Sequence, residues 1–151
     1  MAQRPHRLFP ELTSSIRSDL IELRPQRHLR VSIITRKEKK SAVVTRYGVA
    51  DNTASSTTVF MIHGVGGSIE VWRSQFDSIL IPAVTKIIAV DLIGHGQSFA
   101  PRHQEAYQFR EIASDVISLF TEFHSTNNII IGHSYGYMVF LFCCYPCSFS
   151  N

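Results

Sequence analysis

The chain has 151 residues, enough for one domain with a core of its own, and its 44% hydrophobic content is ordinary for a globular protein. Its longest apolar runs, around Val84–Val90 and Met138–Tyr145, are much shorter than the roughly 18 residues a membrane-spanning helix needs, which argues against a transmembrane protein and for a soluble or peripheral one. The net charge of +3 conceals an asymmetry: residues 1–50 hold 11 Lys/Arg against 4 Asp/Glu, and residues 51–151 hold 4 against 8.

In chain order, residues 1–27 mix Pro, Arg and Ser without sustained periodicity and read as a flexible basic arm. Arg4 and Arg7 precede any acid, as in a transit peptide, but Pro5 and Pro10 interrupt an amphipathic helix there, and no secretory h-region is visible. A cytoplasmic location is expected, with mitochondrial import the weaker alternative. Residues 28–151 read as the folded domain. Leu29–Ile34 predicts a strand, Arg36–Ser41 a polar turn and Val43–Val49 its antiparallel partner. The basic turn could meet phosphates or an anionic membrane surface, giving the N-terminal region a peripheral membrane contact. No aromatics alternate with its charges to stack bases, so nucleic acid is not expected as a partner.

Thr57–Ile62 reads as a buried strand. Ser68 then caps a helix carrying Ile69, Trp72, Phe76, Ile79 and Leu80, which Pro82 ends. Thr85–Val90 is a second continuously apolar strand, Phe109–Phe123 a second amphipathic helix, and Ile129–Ile131 a third buried strand. Met138–Tyr145 would be apolar all round as a helix and so packed within the domain. Strand alternating with helix predicts an α/β fold with a mostly parallel sheet and helices on both faces. Cys143, Cys144 and Cys147 are clustered too closely to staple a fold, and the CxxC has no second ligand pair, so neither a disulfide framework nor a metal site is expected.

Ligands of such sheets bind beyond the carboxyl ends of the strands. The segments there read HGVGGS (63–68), DLIGHGQS (91–98) and GHSYG (132–136). The last is G-x-S-x-G between a strand and a helix, the nucleophile-elbow pattern, in which a strained turn lifts the serine hydroxyl above the sheet. Ser134 is therefore the candidate nucleophile. An oxyanion formed by its attack needs N–H donors: the backbone of Tyr135 supplies one, and the loop after Thr57–Ile62 supplies the other, from Val65 first and Gly66 next. Gly64 and Gly66 also begin a G-x-G-x-x-G, but Ile69 occupies its last position, and no Gly-Lys-Ser/Thr follows, so a nucleotide site is set aside.

These three motifs, in this order and spacing, resemble the α/β-hydrolase fold superfamily. Within it, HGVGGSIEVWRSQ, DLIGHGQSFAP and IIIGHSYGYM are most similar to the abhydrolase-domain-containing family, nearest the branch numbered eight, from about Ser18 to about Val139. The resemblance implies a serine hydrolase of carboxylic esters, often lipid esters, using a Ser, Asp/Glu and His triad without metal or cofactor. Related acyltransferases carry an HxxxxD pattern that is not found here, where His133 is followed by Ser-Tyr-Gly-Tyr-Met.

Serine, acid and histidine follow one another in that chain order, and only seventeen residues follow Ser134, none of them Asp, Glu or His. The chain thus reads as an incomplete α/β-hydrolase domain, its later strands and lid missing and its ending truncated, leaving Ile129–Ile131 as an uncovered, aggregation-prone edge. His63, His95 and His133 read as structural, Asp91 as a cap on its own loop, and Ser68 and Ser98 as helix caps. Loss of a triad histidine costs about a million-fold in turnover, so the chain alone is expected to be nearly inactive. The alternative is a non-catalytic interaction or regulatory protein derived from a hydrolase.

Overall fold

The structure, a computed structural model, describes residues 14–36, 56–76 and 84–144. It contains one five-stranded mixed sheet. Its strands are β1 (Ser14–Arg24), β2 (Arg27–Arg36), β3 (Thr57–Ile62), β4 (Lys86–Val90) and β5 (Asn127–Gly132), in spatial order β1-β2-β4-β3-β5. The β3–β4 and β3–β5 pairs are parallel, and β2 runs antiparallel to both β1 and β4.

The hairpin at the edge is not the one expected from the sequence. Residues 14–24 of the supposed arm form β1 and pair with β2, while the expected partner Val43–Val49 lies outside the described residues. A turn through Pro25 and Gln26 joins the two strands, with Gln26 in the left-handed region at φ 61° and its N–H donating to Glu22 Oε1 at 2.9 Å.

Side chains alternate across the sheet, because successive residues of a strand point to opposite faces. Leu29, Val31, Phe60, Ile62, Ile88 and Val90 face one side, where Ile112, Val116 and Leu119 of helix α1 (Phe109–Phe123) cover them, with Val139 of helix α2 (Tyr135–Cys144). Ile34, Val59, Met61, Ile87 and Ala89 face the other, under Ile69, Trp72 and Phe76. Residues Ile69–Gln75 form a 3-10 helix, and the remainder of the helix expected there lies outside the described residues. Ser68 does cap it, accepting from the Glu70 N–H at 3.3 Å.

Ion pairs, of which Arg27–Asp115 is buried, bind the hairpin to α1. Arg27, buried, donates from Nε to Asp115 Oδ1 at 2.6 Å and from both terminal nitrogens to the Ala106 carbonyl at 3.1 Å. Arg24 reaches Glu111 Oε2 at 2.6 Å and Asp115 Oδ1 at 3.2 Å. Burial pushes the Asp115 carboxyl up, and the two guanidiniums pull against that rise. At the other end of α1, Lys86 Nζ donates to the Phe123 carbonyl at 2.8 Å, satisfying one of the acceptors a helix C-terminus leaves open.

Helix α2 departs from its expected central packing. Val139 is fully buried, but Tyr137 and Met138 are about half exposed, so one side of this apolar helix is uncovered among the described residues. Ile129 of β5 is likewise exposed, at 47%. No described helix is long and apolar enough to cross a membrane.

Candidate active site

Register brings three loops to one place. Ile62 is paired with Val90 on one side and with Gly132 on the other, so β3, β4 and β5 end level, and His63, Asp91 and His133 each open a loop at the same edge.

The loop from β5 into α2 is sterically tight. Ser134 has φ 53°, a left-handed conformation that costs a non-glycine residue about 1–2 kcal/mol. A Cβ on Gly136 would lie 2.3 Å from the Ile62 carbonyl oxygen, and one on Gly132 would lie 2.6 Å from the Tyr137 nitrogen. The outer positions of G-x-S-x-G are thus glycine because the backbone of α2 passes directly over the strand ends. The turn is held by the His133 N–H donating to the Ile62 carbonyl at 2.9 Å and the Tyr137 N–H donating to the Ser134 carbonyl at 3.0 Å. Ser134 itself is exposed.

The HGVGGS loop lies against it. A Cβ on Gly64 would stand 3.1 Å from Ser134 Cβ and 3.0 Å from the His133 carbonyl oxygen. Val65 at the tip is 75% exposed, and Gly66 takes φ 73°. The Gly67 N–H is used within the loop, donating to the Gly64 carbonyl at 3.0 Å. Among the described residues, the turn and cap hydrogen bonds employ neither the Val65 N–H nor the Tyr135 N–H. Tyr135 is the first residue of α2, where an N–H has no acceptor within the helix. Its ring, partly buried edge-on against Phe109 at 5.7 Å, has its phenol pushed up by that burial.

The pattern that defines the alpha/beta hydrolase fold matches residues 57–142, a stretch containing all three loops. The chain belongs to the α/β-hydrolase fold family. The protein ABHD8 of Mus musculus is 42% identical over 82 residues, covering 54% of this chain but 18% of that protein. An epoxide hydrolase of Vigna radiata superposes with TM-score 0.62 at 18% identity, covering 87% of this chain and 34% of that one. A thioesterase domain from the curacin biosynthetic pathway superposes with TM-score 0.64 at 17% identity, covering 87% and 43%. The chain therefore spans about a fifth of the curated relative and about a third to two fifths of these structures.

Other residues of this hydrolase-fold edge bind the loops together. His63 is fully buried; its Nδ1–H donates to the Gly64 carbonyl at 2.7 Å, and its Nε2 accepts the Leu92 N–H at 2.9 Å. That pair of bonds requires a neutral ring, and burial holds its pKa below 6.5. His95 stacks obliquely on His63 at 5.1 Å and donates from Nδ1 to the Ile93 carbonyl at 3.0 Å. Among the described residues no side chain hydrogen-bonds to the Ser134 hydroxyl; His133 is exposed and makes no such bond.

Two expectations change. Ser98 caps no helix: it accepts the Arg30 N–H at 2.8 Å and donates to the Asp91 carbonyl at 2.6 Å, stitching β2 to the loop. Asp91 does more than cap its own loop, since its carboxylate also accepts the Ile69 N–H at 2.6 Å, beyond the HGVGGS segment. Contacts between loops leave no periodic trace in a sequence. The one legible hint was an aspartate placed directly after a buried strand.

Proposed function

We propose that this chain carries the nucleophile and oxyanion half of a serine acyl hydrolase acting on carboxylic esters. Ser134 attacks the carbonyl carbon, and the N–H groups of Val65 and Tyr135 receive the oxyanion. The observation that carries this reading is Ser134 at φ 53° between β5 and α2, against a loop at whose exposed tip the Val65 N–H makes no turn or cap hydrogen bond among the described residues. The triad acid and histidine would follow Ser134 in chain order, and none of residues 135–151 is Asp, Glu or His. No cofactor is needed for such chemistry.

Epoxide hydrolases are among the structural neighbours, but the chemistry of a serine favours esters. A serine oxygen that opened an epoxide would form an alkyl ether, which water does not cleave, whereas an acyl-serine ester is hydrolysed through the same oxyanion donors. A lipid acyl chain suits the surroundings, because Val65, Tyr137 and Met138 are exposed apolar side chains close in sequence to the oxyanion donors and the serine. The test is mass spectrometry of the Ser134 peptide after incubation with p-nitrophenyl butyrate or with styrene oxide. An acyl adduct from the ester and none from the epoxide supports the proposal; an adduct from the epoxide alone contradicts it.

Exposure of Ile129, Tyr137 and Met138 favours a second reading, an interaction module that docks a partner at the β5 end of the sheet. It predicts a stable complex whose formation is indifferent to Ser134→Ala.

A further inference from the structure

Asp91 is fully buried at the start of the loop after β4, and its two carboxylate oxygens do different work. Oδ2 accepts the Gln97 N–H at 2.9 Å and lies 3.6 Å from the Arg30 guanidinium. It also fills the space of a missing side chain, since a Cβ on Gly96 would come within 2.1 Å of it. The Asp91 N–H donates to the Arg30 carbonyl at 3.0 Å. Fixed by its own loop and by β2, the carboxylate turns Oδ1 outward to the N–H of Ile69 at 2.6 Å. Ile69 is the residue that follows HGVGGS, and at the head of that segment His63 Nε2 accepts the N–H of Leu92, Asp91's neighbour. Both ends of the six-residue loop His63–Ser68 are therefore tied to Asp91–Leu92.

We propose that Asp91 is a positioning residue that sets the direction of the Val65 N–H by anchoring the far end of its loop through the Ile69 amide; this deepens the hydrolase reading above and rests on it. Between its two anchors the loop packs against the serine turn at Gly64, while its tip stands free of such packing. Its tip is solvent-exposed, Gly66 is left-handed, and among the described residues the bonds within the loop run from the Gly67 N–H and the His63 Nδ1–H to the Gly64 carbonyl. A carboxylate accepts two N–H groups at once with charge-assisted strength. The isosteric amide cannot: in Asp91→Asn one oxygen remains, and an NH2 group confronts the second N–H.

The experiment is amide hydrogen exchange by NMR on the full chain and on Asp91→Asn, with fluorophosphonate labelling of Ser134 run in parallel. The expected result is exchange about ten- to a hundredfold faster at the hydrogen-bonded Gly67 and Ile69 amides, the scale of a lost hydrogen bond to a charged group, with the Val65 amide resonance shifted and core amides of β3 and β4 unchanged. Acceleration confined to residues 92–98, or spread evenly over the sheet, overturns the proposal. Should Asp91→Asn not fold, through-hydrogen-bond coupling between the Ile69 nitrogen and the Asp91 carboxyl carbon in the unaltered chain decides the matter, and its absence overturns the anchor. A loosened loop without Ser134 labelling in either chain upholds the anchor and contradicts the hydrolase reading; equal labelling with unchanged loop amides does the reverse.

Discussion

Gly64 and Ser134 face each other so closely that a methyl group on the first would stand 3.1 Å from the Cβ of the second. The same methyl would stand 3.0 Å from the His133 carbonyl, a backbone atom held by β5. Gly64→Ala is therefore expected to push the HGVGGS loop away from the serine and to destabilise the chain by about 1–3 kcal/mol through overpacking. Urea denaturation gives the midpoint shift. An unchanged midpoint would mean that the two loops do not abut.

Ser134 should be a site where stability has been surrendered. At φ 53° a serine is strained and a glycine is not. Ser134→Gly is expected to raise stability by about 1 kcal/mol, the cost of the left-handed conformation less the entropy a glycine loses on folding. A loss of stability in the same denaturation experiment would argue that the elbow is relaxed.

The Arg27–Asp115 pair predicts a large effect outside the three loops. Both side chains are buried, and removing the guanidinium leaves a carboxylate without its main partner. Arg27→Ala is expected to cost about 3–5 kcal/mol, whereas replacing both residues by apolar ones of similar volume should cost much less. Comparison of the single and double variants by chemical denaturation separates the pair from its surroundings.

Stability should fall in mild acid because of His63. Burial lowers its folded pKa below the ordinary 6.5, so the unfolded chain binds a proton that the folded chain refuses. Its contribution is complete above pH 6.5 and is lost as pH falls from there through the lowered folded value. Denaturation midpoints between pH 8 and pH 5 should show this decline, and His63→Asn should flatten it. A profile that rises toward acid would contradict the neutral, doubly bonded ring.

Much of this fold was legible because the relevant segments are internally consistent. Val59, Met61, Ile87 and Ala89 alternate with Phe60, Ile62, Ile88 and Val90 in strands buried on both faces, and Ile112, Val116 and Leu119 recur at helical spacing. β1 was not legible. Its apolar residues change face between Leu20 and Ile21, Arg17, Asp19 and Glu22 break the pattern, and the left-handed turn residue is Gln26 in place of the usual glycine or asparagine. Glu111 and Asp115, four apart and so on one face of α1, are the sequence's sign of the partners that Arg24 and the buried Arg27 find there. At the site, steric demands wrote themselves into glycines, while the Asp91–Ile69 bond depends on how two loops lie together and has no counterpart in spacing.

In the proposed function, Ser134 is presented to a substrate carbonyl with oxyanion donors already in place. The most direct test is peptide-mapped labelling of the chain with a fluorophosphonate, with and without added imidazole to stand in for a base, alongside Ser134→Ala. An adduct is expected on Ser134, formed faster with imidazole and missing from the variant. Labelling equal in the two chains, or spread over exposed serines such as Ser18 and Ser74, would contradict it.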